Sequence, residues 1–204
     1  MLIGLDFDNT IVSYDVLFHR AAQEKGLIPD GIVESKLAVR DYLRRLDRED
    51  EWTELQGYVY GARMADARAY EGVIDFMREA RRQGALVAIV SHKTKHPFRG
   101  PQYDLHEAAR AWVTTQLVGA GLIEAQEVFF ELTKEAKLRR VGALGCDYFI
   151  DDLPEILSAP AFPATTTGIL FDPDYAHAQS GGKLRFTSWG EIAHYFEPLW
   201  TASR

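Results

Sequence analysis

Cysteine is almost missing from this chain: Cys146 is the only one in 204 residues. A single thiol excludes an intrachain disulfide. The six histidines fall into no H-E-x-x-H spacing and the cysteine into no C-x-x-C, so a zinc site is disfavoured. Positive charge is also short. With 23 Lys and Arg against 30 Asp and Glu, the formal net charge is -7. That argues against a general nucleic-acid binder, because phosphate backbones are held by clustered basic side chains. No apolar run approaches a membrane span, and the start lacks a basic region followed by a long apolar one, so no membrane association and a cytoplasmic location are expected. A P-loop is missing too: SGGK at 180 to 183 has neither the first glycine at the right distance nor a hydroxyl after Lys183. There is no internal repeat and no low-complexity tract.

What is present is an ordinary folded composition, 47% apolar and 26% charged, long enough for one sizeable domain with an insertion or for two small ones. The first apolar run, Leu2, Ile3 and Leu5, shows little polar alternation, as expected of a strand covered on both faces. Four more strand-like runs follow: ALVAIVS at 85 to 91, EVFFEL at 127 to 132, DYFID at 147 to 151 and TGILFD at 167 to 172. Helical patterns lie between them, on Val73, Met77 and Ala80, on Leu105 to Leu117, and on Leu138, Val141 and Leu144. The alternation predicts an α/β, Rossmann-like parallel five-stranded sheet with helices on both faces. Residues 14 to 69 break the rhythm with helical spacing and no convincing strand. They are assigned to a small α-helical cap inserted after strand 1, which leaves 1 to 13 and 70 to 204 as the core. The SGGKLRF stretch from 180 reads as a turn, and Ser188 as the cap of a closing helix.

The strand ends carry the chemistry. Asp6 and Asp8 follow the first strand in LDFDNT, with Thr10 two positions on. Ligands of parallel sheets gather at that edge, and two neighbouring carboxylates ionise together most easily around a shared cation. Ser91 ends the second strand in IVSHKT, and Asp151 and Asp152 end the fourth in FIDDLPEIL. Asp152 reads as a cap of the helix that begins LPEIL, which leaves Asp151 without a structural reason. Thr133 reads as an N-cap, placing Lys134 in the first turn, where a cation opposes the helix dipole. All are residue types that phosphoryl transfer uses.

DFDNT, IVS, the lysine of LTKEAK and FIDDLPE resemble, in order, the four motifs of the haloacid-dehalogenase-like (HAD) superfamily, most of whose members are magnesium-dependent phosphatases. The resemblance covers residues 1 to 13 and 70 to about 172, and not the cap. It implies Asp6 as nucleophile, Asp8 as general acid and base, and Lys134 as the neutralising lysine, with Lys137 its rival one turn along the helix. Thr10 and Ser91 would hold the phosphoryl oxygens. Asp6, Asp8 and Asp151 would ligate Mg²⁺, supported by Asp152. Asp8 favours phosphoryl transfer over dehalogenation, since a halide leaving group needs no proton. The expected partner is a small phosphorylated metabolite, the expected route an aspartyl-phosphate, and a homodimer is compatible with it. A phosphotransferase, a phosphonatase using Lys25 or Lys36, and a metal-binding module without catalysis are the alternatives.

The loop after Ser91, HKTKHPFRG, crowds His92, Lys93, Lys95, His96 and Arg99 into an otherwise acidic protein. It reads either as a solvated basic loop or as the contact for a second anionic group of the substrate, with His92 and Lys93 nearest the strand end. In the insertion, Trp52, Tyr58, Tyr60 and Arg63 are candidates to face a sugar or base, against the plainer reading of Trp52 as local core.

Overall fold

A computed structural model describes residues 1–177 and 184–201. In chain order the elements are β1 (Leu2–Leu5), β2 (Val12–Ser13), α1 (Asp15–Glu24), α2 (Lys36–Arg45), α3 (Glu49–Tyr60), β3 (Arg68–Ala69), α4 (Val73–Arg82) and β4 (Leu86–His92). There follow α5 (Leu105–Val113), β5 (Val128–Glu131), α6 (Lys134–Leu144), β6 (Tyr148–Asp151), α7 (Pro154–Leu157), β7 (Thr167–Phe171), β8 (Leu184–Phe186) and α8 (Trp189–Thr201).

Six strands form one sheet in the order β5-β4-β1-β6-β7-β8, and every pairing is parallel. The α/β class is as expected, with one strand more than the five anticipated. β8 lies in the stretch read as a turn. Leu184–Phe186 continues the sheet beside β7, whereas positions 180–183 lie outside the described residues. Successive strand residues face opposite sides of a sheet, and both sides are covered. Phe149 and Leu170 pack into a cluster with Leu138 and Val141 of α6 and Ile156 and Leu157 of α7. Their chain neighbours Tyr148 and Phe171 instead meet Phe196 and Trp189 of α8, which also pack on Phe76 of α4. β1 runs through the middle of the sheet and has room for no side chain at Gly4, where a Cβ would come within 2.7 Å of the Phe149 ring.

The chain divides into two compact units. The first, Met1–Val12, Ala69–His92 and Leu117–Arg204, carries the sheet. The second is Ser13–Arg68 together with Lys93–Gln116. The expected insertion of residues 14 to 69 thus shares its unit with a segment, including α5, that the sequence pattern had given to the core. Side-chain contacts explain the grouping. Trp112 Nε1 donates to the Ala67 carbonyl at 2.9 Å, Arg99 pairs with Asp50 at 3.0 Å and Glu54 at 3.1 Å, and Gly61 lies so close to Tyr103 that a Cβ would meet its ring at 2.5 Å. Within this unit α1, α2 and α3 bury Phe18, Val39, Leu43, Trp52, Leu55 and Val59. Among the described residues no helix is long and apolar enough to cross a membrane.

Candidate active site

The sheet order places β1 and β6 side by side, while the chain proceeds from β1 outward to β4 and β5 before crossing over to β6. This is the topological switch point of an open parallel sheet, where a crevice forms at the strands' carboxyl ends. Asp6 and Asp151 sit there. The Asp6 amide donates to the Ile150 carbonyl at 2.9 Å, which ties the end of β1 to β6. Beyond it the chain folds into a tight loop: Phe7 inserts into the core, edge to face with Phe130 at 5.3 Å, its carbonyl accepts from Ile11 N and Val12 N, and Asn9 takes a positive φ of 56°. A short polar residue tolerates that conformation better than a bulky or branched one.

Asp6, Asp151 and Asp152 each present a carboxylate oxygen, and these oxygens lie within 4.8 Å of one another. Asp6 and Asp151 are buried. Three convergent carboxylates make a hard, all-oxygen donor set of the kind that suits a divalent cation such as Mg²⁺. No group of three metal-binding side chains that includes Asp8 meets the same spacing among the described residues. The carboxylate set thus brings together two of the expected ligands, Asp6 and Asp151, and the expected supporting residue Asp152. Asp152 also does not cap α7, whose N-cap is Leu153 with no side-chain bond. The Leu153 amide is taken instead by Asp151 Oδ1 at 2.9 Å, and Asp152 Oδ1 accepts from Thr10 Oγ1 at 3.5 Å. Thr10 is buried and held through its carbonyl, which accepts from Trp189 Nε1 at 3.1 Å.

The lysine of this group is Lys137, not Lys134. Thr133 caps α6, its hydroxyl accepting from Ala136 N at 3.1 Å, and from that start the helix turns Lys134 outward to pair with Glu155 at 3.1 Å. Lys137, one turn on, is 0% exposed. Its Nζ donates to Asp6 Oδ1 at 2.6 Å and makes an ion contact with Asp151 Oδ2, also 2.6 Å away but outside hydrogen-bond geometry. Burial by itself would lower the pKa of Lys137, but the two carboxylates outweigh it and hold the ammonium above its ordinary value. Asp151 is shifted upward, first by burial and further by the charge of Asp6, with Lys137 opposing.

Ser91 is buried at the end of β4. His92 follows it, with Nδ1 closed off from solvent and without a hydrogen-bond partner among the described residues. Burial, then the charge of Lys137, lowers the His92 pKa, so the ring is neutral at pH 7. Lys93 belongs to the second unit. The other cations of its loop are engaged within that unit: Lys95 lies 3.6 Å from Asp104, and Arg99 meets Asp50 and Glu54. Trp52 is local core, stacked near Phe18 at 5.0 Å, and Arg63 ties Glu24 to Asp66.

No protein-family model matches the chain, and no curated protein matches it. Solved structures do. A HAD-superfamily hydrolase from Ehrlichia chaffeensis shares 17% identity over 97% of this chain and 96% of its own, with a TM-score of 0.58. A predicted phosphatase from Clostridium acetobutylicum shares 12% over 96% and 97%, with a TM-score of 0.61. A HAD family hydrolase from Deinococcus radiodurans, solved with bound phosphate and sodium, shares 21% over 98% and 96%, with a TM-score of 0.55. The chain has the fold of the HAD-superfamily hydrolases.

Proposed function

We propose that the protein is a Mg²⁺-dependent phosphatase of small phosphomonoesters that works through an aspartyl-phosphate on Asp6. The observation that carries this reading is the buried Lys137 ammonium, 2.6 Å from both Asp6 and Asp151, with Asp152 completing the carboxylate group. The bound phosphate of the Deinococcus radiodurans protein of the same fold supports it.

Asp6, Asp151 and Asp152 are the residues that would hold the cation. When bound, Mg²⁺ would offset the repulsion between a carboxylate and a phosphate dianion and polarise the phosphoryl group. Asp6 attacks phosphorus, and the P–O bond to the leaving group breaks. This covalent step divides one hard displacement into two easier ones. Lys137, kept cationic by its two carboxylates, neutralises charge that spreads over the phosphoryl oxygens. Thr10 and Ser91 offer hydroxyl donors at the same edge. Asp8 gives its proton to the leaving alkoxide and then takes one from the water that cleaves the acyl phosphate, a role worth about 10²- to 10⁴-fold.

The test is phosphate release from sugar phosphates, nucleotides and p-nitrophenyl phosphate, with and without Mg²⁺, in wild type and Asp6→Asn. Magnesium-dependent release that Asp6→Asn lowers by at least about 10⁴-fold is the expected result. Turnover that survives Asp6→Asn would overturn the assignment of the nucleophile, and transfer without phosphate release would identify an acceptor other than water.

A further inference from the structure

The loop that carries Asp6, Asp8 and Thr10 is tied down by a residue from the far end of the chain. Trp189 is the first residue of α8, and its indole Nε1 donates to the Thr10 carbonyl at 3.1 Å. Both residues are buried, and 179 positions separate them. The next carbonyl along, that of Ile11, accepts from the Tyr70 amide at 2.8 Å. Two successive carbonyls of the loop are thus held from outside it, one by a side chain and one by backbone. Every residue of this arrangement lies in the first unit.

The indole has little freedom of its own. Its ring lies 5.1 Å from that of Phe76 on α4 and 5.5 Å from that of Phe171 on β7, and Phe171 meets Tyr70 edge to face at 4.9 Å. Gly72, which precedes α4 with a φ of 85°, makes room for it: a Cβ there would come within 3.1 Å of the Trp189 Cβ. The backbone that bears the ring is fixed as well. Ser188 Oγ accepts from Glu191 N at 3.2 Å, while Glu191 Oε2 accepts from Thr187 N at 2.7 Å and from Thr187 Oγ1 at 3.0 Å, so the first turn of α8 is closed by side chains.

Internal bonds give the loop its shape. Phe7 O accepts from both Ile11 N and Val12 N, and Asn9 N donates to Val12 O at 2.9 Å. These bonds do not fix where the loop stands against β6; bonds that leave the loop do. The Asp6 amide reaches the Ile150 carbonyl at one end, and the Thr10 carbonyl meets Trp189 at the other. Asp8 lies between the two tethers, and the Thr10 hydroxyl reaches Asp152 Oδ1 at 3.5 Å. A misplacement of about 1 Å in reacting groups can cost about 10²-fold in rate, so a tether at this point bears on the chemistry as well as on packing.

We propose that Trp189 is a positioning residue of the active site: its indole N–H holds the loop of residues 6–12 in the placement that sets Asp8 and the Thr10 hydroxyl against Asp6 and Asp152. The catalytic half of this statement rests on the phosphatase reading above; the tethering of the loop does not.

The experiment compares wild type, Trp189→Phe and Phe196→Leu as full chains. Trp189→Phe keeps a ring against Phe76 and Phe171 and removes the donor. Phe196→Leu loosens the same aromatic cluster, in which Phe196 lies 5.3 Å from Phe76, and leaves the donor in place. Deuterium exchange of the Ile11 and Val12 amides is followed without metal, and kcat and KM are measured with p-nitrophenyl phosphate and Mg²⁺. Exchange reads local opening of the loop whatever reaction the protein performs.

Trp189→Phe is expected to speed exchange of both amides by about tenfold to hundredfold, the effect of a buried carbonyl left unpaired. It should also lower kcat by about tenfold to hundredfold while KM stays within about threefold. Phe196→Leu is expected to lower the melting temperature and to move exchange and kcat by no more than about threefold. Exchange at the wild-type rate in Trp189→Phe overturns the proposal, whatever kcat does. An equal change in both variants overturns it too, because the bond then matters only through packing. Faster exchange with kcat unmoved overturns the catalytic half. If Trp189→Phe melts far below wild type, replacement of Trp189 by 3-benzothienylalanine, which keeps the fused rings and lacks only the N–H, decides the comparison by the same criteria. Absence of phosphate release from wild type would sink the phosphatase reading alone and leave the tether to be decided by exchange.

Discussion

Lys137 in the first unit and Lys93 in the second are both buried, the one between carboxylates and the other against an aromatic ring. Lys137 lies between two carboxylates, and its charge is matched locally. Lys93 lies over the ring of Tyr60, which it shares with Lys36. The first arrangement suits a site that must stay charged and fixed throughout a reaction. The second seats an ammonium on an aromatic ring within the helical unit.

The largest break in that comparison is expected from Lys137→Met. It should lower turnover by about 10²- to 10³-fold, in the range set by loss of one preorganised electrostatic group. It also leaves Asp6 and Asp151 buried side by side without their counter-charge, so the urea unfolding free energy of the metal-free protein should drop by about 3–5 kcal/mol. Mg²⁺ in the buffer should restore part of that loss, because a cation among the carboxylates replaces the missing charge. Equal stability of Lys137→Met and wild type would show that the pair is not electrostatically coupled.

Gly4→Ala comes next. A Cβ at that position meets the Phe149 ring at 2.7 Å and Cys146 Sγ at 3.0 Å, so β1 and β6 must part or the ring must move, at about 1–3 kcal/mol. Since those strands carry Asp6 and Asp151, kcat should drop together with the melting temperature. Gly61→Ala makes the matching clash with Tyr103 inside the second unit. Its loss of stability should be similar in size, and a differing partition between kcat and KM in the two variants sharpens the contrast between the units.

Lys134→Met gives a smaller effect. Its ion pair with Glu155 is largely solvated, and such pairs contribute about 0–1 kcal/mol. Turnover close to wild type is expected, and a loss as deep as that of Lys137→Met would return the neutralising role to Lys134.

The smallest effect concerns His92. Its folded pKa lies below the ordinary value near 6.5, so the unfolded chain binds the proton more readily. Its contribution to stability is complete above about pH 6.5 and is lost as pH falls through the folded pKa. Asp151, with a raised pKa, has the opposite sign in acid, but it is common to wild type and His92→Asn and drops out of their difference. The wild type should therefore lose stability relative to His92→Asn as urea titrations move from pH 7.5 to 5. A constant difference would show that the ring is not desolvated.

The strands and helix caps of the core were legible because each depends on neighbours in the chain. The unalternating run before Asp6 marked a strand covered on both faces, and Thr133 and Ser188 cap α6 and α8 as their positions foretold, the Ser188 hydroxyl accepting from Glu191 N at 3.2 Å. β8 was not legible, because Leu184–Phe186 is three residues long with a charged centre and has no period to read. The cap expected of Asp152 also failed. Asp151 took the local amide, and Asp152 turned to Thr10, more than a hundred residues away in the chain.

By itself the sequence determined the alternating α/β plan and the edge at which acidic and hydroxyl side chains gather, since strand period, burial pattern and capping are local properties. The tertiary structure decided which of two lysines one turn apart enters the carboxylate group. A helical pattern fixes the spacing of Lys134 and Lys137 but not the direction in which the sheet lies. It also decided that Lys93 and Lys36 share one ring and that residues 93–116 pack with the second unit, because the partners in each case are brought together only when distant segments fold onto one another.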